Sequence, residues 1–392
     1  MMTLSPERAY TQPLDQQDGS PLLHPPSPMY PGRNPGTVLA EGLRMSPPIV
    51  PEPRPGLELE LDPKPCSGPG GGIAQAGAAS FKHRPVMLEE VVDLFAAVPE
   101  GVLLDATVGA GGHARALLEA SPDRQLIGFD RDSEAVAAAT EALASFGTRA
   151  AVVKCRFDHL DEVLAELGAP PLSGVLFDLG VSSPQLDRPE RGFSYRFSAP
   201  LDMRMDRTEG MTATELLNAR TEEQLAQLFW LHGETRFARR IAAAIVAARP
   251  VTTTLALAEL VSSAVPAAAR RRGHPAKRVF QALRAAVNSE LETLPVAVDA
   301  AIGQLAPGGR IVVISYHSGE DRAVKGRLTD AATGGCTCPP GFPCVCGAVP
   351  RVRLLNRGAR KPSATELESN PRAQSARLRA AEALVTEERR PQ

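Results

Sequence analysis

Three acids end three apolar runs in this chain, and each is followed by residues suited to holding a ligand. Leu103-Leu104-Asp105 leads through Ala106-Thr107-Val108 into Gly109-Ala110-Gly111-Gly112-His113. Leu126-Ile127-Gly128-Phe129-Asp130 follows, its acid twenty-five residues beyond the first. Val175-Leu176-Phe177-Asp178 then opens into Leu179-Gly180-Val181-Ser182-Ser183-Pro184-Gln185. A glycine-rich turn between strand and helix lets backbone pass close to a ligand, and an acid at the tip of the next strand can hold ribose hydroxyls. Gly109-x-Gly111-x-x-Ala114 also satisfies the dinucleotide fingerprint, so these residues alone leave S-adenosylmethionine and NAD both open. A third strand-end acid is more than a nicotinamide site requires. It suits methylation of an exocyclic amine, whose lone pair is delocalised into the ring. There, an acceptor that orients the nitrogen towards a methyl–sulfonium bond supplies much of the catalysis.

The elements that must position these residues alternate regularly. A helix is expected from Leu88 to Ala97. Strands at 101–106, 125–129, 150–154 and Gly174–Asp178 are separated by helices at 112–120, 133–145 and about 159–167. Continuous apolar strands joined by helices predict a buried parallel sheet. The next comparable strand, Gly309 to Ser315, comes about 130 residues later, where a doubly wound fold joins strands in a few tens. The intervening segment is helical in pattern: Ala213 to Asn218, Glu222 to Leu231, and 234–249 with Phe237, Ile241 and Ile245 four apart on one face before Pro250. The expected organisation is an α/β, Rossmann-like core in two parts, 81–180 and 285–392, interrupted by a helical domain over 181–284.

Composition bounds the rest. The formal charge of −2 over 392 residues conceals a basic stretch: Arg236 to Arg284 holds ten Lys or Arg against one acid, Glu259. No apolar run approaches the roughly 20 residues of a membrane span, and no basic segment with an apolar core marks a secretory signal. A cytoplasmic enzyme is the simplest expectation. Residues 1–80 carry 16 of the 36 prolines and end in Gly70-Gly71-Gly72 with little apolar periodicity, so they read as a disordered tail.

Several segments together carry a family resemblance. They are Gly111-Gly112-His113, Asp178 to Leu186, Glu190-Arg-Gly-Phe-Ser194, Pro200 to Asp206, Glu234-x-Arg-Phe-Ala-x-Arg-Ile241, His274-Pro-Ala-x-Arg-x-Phe-Gln281, Asn288-Ser-Glu-Leu291 and Ile314-Ser-Tyr-His-Ser318 with Glu320-Asp-Arg322. In unbroken order over about residues 81 to 390, they resemble the ribosomal RNA small subunit methyltransferase H family. The resemblance implies a class I methyltransferase sheet. It also implies transfer of a methyl group from S-adenosylmethionine to N4 of a cytidine in the decoding region of small-subunit (16S) ribosomal RNA, within the assembled subunit. Carried over residue by residue, Gly111, Gly112 and His113 match the cofactor loop, and Asp130 the residue holding the ribose. Phe157 matches the residue beside the adenine, and Asp178 and Gln185 the remaining cofactor contacts. The family often has Phe where Tyr316 stands.

In-line transfer needs no covalent nucleophile, and the amine can lose its proton afterwards. Asp178, Ser182 and Ser183 are therefore expected to orient the amine, with His317 lining the same crevice as either a catalytic or a structural histidine. Arg236, Arg239, Arg240, Arg270, Arg271, Arg272, Lys277 and Arg278 are candidates for phosphate contacts, and the basic segment Arg351, Arg353, Arg357, Arg360 and Lys361 would add to them. Arg188, Arg191, Phe193 and Tyr195 would suit a flipped, stacked cytosine, or else ordinary packing between lobes. Cys336-x-Cys338-x5-Cys344-x-Cys346 offers four thiolates to zinc, but its pairs are tighter than the usual spacing. Reduced thiols in a Pro/Gly loop, with no metal, are the expectation.

Overall fold

The computed structural model describes residues 84–233, 236–271, 274–339 and 345–385. The tail expected over 1–80, with Arg272 and Cys344, lies outside the described residues.

The apolar runs form strands because each is short, continuous and bounded by turn residues. β1 (Val102–Asp105), β2 (Gln125–Asp130), β3 (Ala150–Lys154), β4 (Leu172–Asp178) and β5 (Leu305–Ser315) pair in parallel in the order 3-2-1-4-5. β6 (Val352–Leu354) and β7 (Arg377–Ala383) complete the sheet, with β7 inserted antiparallel between β5 and β6. Successive side chains go to opposite faces. Leu104, Phe129, Phe177 and Val313 face a core closed by the helices Leu160–Glu166, Glu290–Gln304 and Ser318–Thr333. Leu103, Leu126, Leu176 and Val312 face a second, closed by Leu88–Ala96, Gly112–Glu119 and Ser133–Leu143. The strand order reverses between β1 and β4, which places a ligand crevice beyond their carboxyl ends.

Between β4 and β5 the chain builds a third apolar core of its own. Six helices, Ala213–Ala219, Glu222–Leu231, Ala238–Ala247, Thr254–Ala264, Ala267–Arg270 and Ala276–Val287, span most of this excursion. Ile241 and Ile245 are fully buried and Phe237 partly so, on the face their spacing predicts. Each fully buried Ile contributes about 1.5–3 kcal/mol relative to exposure. Thr212 and Thr221 start their helices with reciprocal capping boxes to Glu215 and Gln224. Asn288 fastens the returning chain: its amide donates to Met203 O (2.8 Å) and its Oδ1 accepts from Met205 N (2.8 Å).

Several basic residues prove to be internal. Arg284 is held between Glu290 (2.7 Å) and Glu320 (3.3 Å), and Arg249 Nε donates to Leu217 O (2.9 Å). The segment expected as a basic arm includes β6, where Arg353 pairs with Glu382 (2.8 Å). Arg284 and Arg249 thus serve the fold, whereas Arg353 is exposed and shares Glu382 with Arg310.

Candidate active site

Asp105, Asp130 and Asp178 end adjacent strands, so the parallel register delivers all three carboxyls to one edge of the sheet. The turn after β1 stays open because Gly109 (φ 55°) and Gly111 (φ 82°) take left-handed backbone. A Cβ on Gly112 would lie 2.6 Å from Pro85 Cγ, so only glycine fits where the helix begins. Asp130 ties this turn down: its Oδ2 accepts from Gly109 N (3.0 Å) and its Oδ1 from Asp132 N (2.9 Å). Each oxygen keeps a further lone pair for a hydroxyl. Burial drives the Asp130 carboxyl up to about 6. Asp105 is pushed up to about 8, first by burial and then by Asp178 and Asp130, while the Thr107 N–H pulls the other way.

Asp178 is the most elaborately held of the three. Its backbone N–H donates to Thr107 Oγ1 (2.7 Å), its Oδ1 accepts from the Tyr316 hydroxyl (2.7 Å), and its Oδ2 lies 3.5 Å from His113 Nδ1. His113 Nε2 is 3.0 Å from Val86 O. A carbonyl can only accept, so Nε2 carries a proton and Nδ1 is the ring atom turned to Asp178. Burial raises the Asp178 carboxyl above its ordinary range against the opposing pull of His113 and Tyr316. Burial and the neighbouring Asp178 push the Tyr316 hydroxyl well above its usual value. Thr107 and Tyr316 thus join the site. Thr107 was readable as part of the turn but not as an acceptor. Tyr316 was visible only as the hydroxyl added where the resemblance expects Phe.

Ser182 lies across the glycine turn, its Cβ about 4.0 Å from where a Gly109 Cβ would sit. Its buried hydroxyl has no hydrogen-bond partner. Ser183 opens the short Ser183–Asp187 helix, and its side chain lies outside the described residues. Gln185 is buried and bridges two elements, accepting from Ser182 N (3.0 Å) and donating to Asp132 Oδ2 (2.8 Å). Phe157 follows β3 and packs edge-on against Phe177, centroids 5.9 Å apart. The open turn, the spare lone pairs of Asp130 and the unpartnered Ser182 hydroxyl fit a nucleoside-type cofactor.

His317 is placed differently from a general base. Its Nδ1 accepts from Gly319 N (3.1 Å) and Glu320 N (3.4 Å), capping the Ser318–Thr333 helix. With Nδ1 accepting, Nε2 carries a proton and lies 2.8 Å from Glu320 Oε1. No ring lone pair is left to take a proton, so His317 is a cap rather than a catalytic base. Glu320, although buried, is held below its ordinary range by His317, Arg284 and the Tyr316 N–H, whereas burial lifts Glu290.

Of the residues expected to suit a flipped base, Arg188 and Arg191 tie the two lobes, while Phe193 and Tyr195 pack in the helical domain's own core. Arg191 is 1% exposed and pairs with Asp132 (2.8 Å) and Glu134 (2.9 Å), with further bonds to the carbonyls of Arg204 and Met205. Phe193 is buried, and Tyr195 stacks on His274 with centroids 4.5 Å apart. Arg188 pairs with Glu134 (2.9 Å). Arg236, Arg239, Arg240, Arg270, Arg271, Lys277 and Arg278 lie instead on the exposed surface of the helical insert. Beside Tyr316 and His317 a cleft of about 290 Å³ opens, with Lys361, Gln374 and Arg377 in its wall.

Strand order 3-2-1-4-5-7-6 with one antiparallel strand next to the edge, and a glycine turn and acids at the switch point, define a Rossmann-like class I methyltransferase fold. A model of the MraW methylase family matches residues 80–384, and the chain belongs to that family. Among curated proteins it is similar to ribosomal RNA small subunit methyltransferase H of Thermobifida fusca, 52% identical over 314 residues, which are 78% of this chain and 94% of that protein. The proteins of the same name from Heliobacterium modesticaldum and Geobacter sulfurreducens are 50% and 51% identical, each over 78% of this chain and 99% and 100% of their own lengths. No helix among the described residues is long and apolar enough to cross a membrane.

Proposed function

We propose that this methyltransferase modifies N4 of a cytidine in the decoding region of 16S ribosomal RNA, acting in the cytoplasm on the assembled small subunit. The observation that carries the reading is Asp178. It is a part-buried carboxyl at the switch point, held by the Tyr316 hydroxyl on one oxygen and 3.5 Å from His113 on the other, at the head of the loop that carries the unpartnered Ser182 hydroxyl. The relatives named above carry the substrate in their names.

S-adenosylmethionine, when bound, supplies an electrophilic methyl on a sulfonium. Gly111, Gly112 and His113 form the turn that receives it, Asp130 accepts its ribose hydroxyls, and Phe157 borders its adenine, with Gln185 bracing the Ser182 loop beneath. Asp178 accepts a hydrogen bond from the cytosine amine and Ser182 a second, with Ser183 beside it, which turns the nitrogen lone pair towards the methyl group. The low dielectric that raises Asp178 also strengthens these bonds. After transfer, the proton leaving the amine can pass to Asp178, whose Oδ2 lies 3.5 Å from His113 Nδ1. The exposed cations Arg236, Arg239, Arg240, Arg271, Lys277 and Arg278 pair with RNA phosphates and carry no sequence information of their own.

The test is incubation of the purified protein with labelled S-adenosylmethionine and small subunits from cells lacking the enzyme, then digestion to nucleosides and mass spectrometry. N4-methylcytidine at a single position is expected. Absence of transfer to subunits, naked ribosomal RNA and DNA alike would leave a non-catalytic assembly role in its place. Transfer to DNA alone would assign the same chemistry to another polymer.

A further inference from the structure

The helix that begins at His317 ends at Thr333, about 24 Å further on at 1.5 Å per residue, and the chain there enters a Pro/Gly segment before β6. Both ends of that segment are pinned. Gly334 closes the helix in left-handed backbone (φ 64°), with its N–H donating to Asp330 O, and a Cβ there would lie 2.5 Å from the backbone of Val349. Gly335 N also donates to Asp330 O (2.8 Å), and Arg351 N donates to Ala331 O (2.8 Å). The segment therefore leaves and returns at one point, which brings its cysteines together.

Cys336, Cys338 and Cys346 converge there, all three sulfurs within 4.8 Å of one another. Cys336 Sγ and Cys346 Sγ are 3.6 Å apart, well beyond a covalent bond, and no disulfide joins the three. That separation is informative. Four thiolates around zinc at about 2.3 Å place neighbouring sulfurs about 3.8 Å apart along the edge of the tetrahedron. The tight Cys-x-Cys spacing made zinc a weak reading of the sequence. The distances answer that objection, because Cys346, from the second pair, folds back across the loop to the sulfurs of the first. Soft thiolates select zinc over harder, oxygen-seeking cations.

We propose that Cys336, Cys338 and Cys346 are ligands of a structural zinc ion that staples the end of the Ser318–Thr333 helix to the entry of β6. The opposite end of that helix caps onto His317 in the crevice, so the ion acts on the fold from a distance and takes no part in methyl transfer. Cys344, the remaining cysteine of the sequence pattern, lies outside the described residues.

The test uses the full chain, purified without chelator. Elemental analysis is expected to find about one zinc per chain, and Cys336→Ser or Cys346→Ser to lose it while Cys155→Ser, at a buried cysteine outside the cluster, keeps it. Should the serine variants fail to fold, wild-type protein stripped of metal and reloaded with cobalt is decisive. Thiolate-to-cobalt charge-transfer bands with intense tetrahedral d–d bands would support the site. Folded protein without zinc, whose cluster thiols all react freely with a thiol reagent and show no such bands, would overturn it. Iron with acid-labile sulfide would overturn zinc in favour of a cluster.

Discussion

Two groups of buried charge lie within a few residues of each other at the ends of β1, β2 and β4, and they are built on opposite terms. Asp132, Glu134 and Arg191 are cross-linked: the guanidinium meets both carboxylates, its Nη2 also reaches two carbonyls, and Asp132 caps the Ser133–Leu143 helix through Glu134 N (3.0 Å). Asp105, Asp130 and Asp178 do not balance. No guanidinium or ammonium is paired to any of them among the described residues, and burial lifts all three carboxyls. A buried polar group whose partners are all present braces the fold. One left short of partners has capacity for a ligand. Arg191 and Gln185, tied to carboxylates, are braces, and Asp130 and Asp178, which no cation neutralises, form the working face with the unpartnered Ser182 hydroxyl.

The contrast can be broken most forcefully at Arg191. Arg191→Ala leaves Asp132 buried without its cation and is expected to destabilise the protein by about 3–5 kcal/mol, as for other broken buried pairs. Chemical denaturation would measure it, and a loss under 1 kcal/mol would show that the brace is not one. Asp178→Ala is expected to leave the denaturation midpoint nearly unchanged while slowing single-turnover methylation by roughly 10²- to 10³-fold, the cost of one preorganised polar group. Equal losses in stability and rate would place Asp178 with the braces. Asp105 sharpens the comparison through pH. Its carboxyl sits at about 8 when folded against about 3.9 unfolded, so the folded chain holds an extra proton between those values. Its contribution to stability is fully present below about pH 4 and is lost as pH rises through about 8. Asp105→Asn keeps an acceptor for Thr107 N and should flatten that decline, making the variant more stable than wild type at pH 9. An unchanged slope would remove Asp105 from the unbalanced set. The smallest effect is expected at Tyr316. Tyr316→Phe deletes one donor to Asp178, worth about 0.5–1.5 kcal/mol, and should slow methylation by a few-fold. Losing a hydrogen bond to the carboxylate raises its pKa further, so the acid limb of the rate profile should move to higher pH. A profile that stays put would argue that the hydroxyl only packs.

Much of this arrangement could be read from the chain because apolar periodicity is a local signal. The strands at 102–105, 125–130, 150–154 and 172–178 and the glycine turn all follow from neighbours in sequence. What escaped was non-local. β7 reads Arg-Leu-Arg-Ala-Ala-Glu-Ala, too charged to suggest a strand between two others, and its charges are answered by distant partners: Arg377 and Arg379 by Asp321, Glu382 by Arg310 and Arg353. The Glu290–Gln304 helix contains Pro295, which masks its pattern. Within the site, residue types pointed to Asp130 and Asp178, but nothing in the spacing separates an arginine that cradles a base from one sealed against Asp132. His317 stays open in the sequence for the same reason, because a histidine beside a strand end reads alike whether its lone pair faces a substrate or the next helical turn.

The long excursion between β4 and β5 also has a consequence for synthesis. β1 pairs with β2 and β4 within the first part of the core, but the other edge of β4 is completed only by β5. About 130 residues must be translated before that partner emerges, roughly 6 to 25 s at 5–20 residues per second. During that interval a flat, apolar strand edge is open to any neighbouring chain. The excursion carries its own apolar core, so it can fold while the edge waits. Variants that loosen the helical insert should therefore show their first defect as aggregation of the nascent chain, ahead of any change in the finished enzyme.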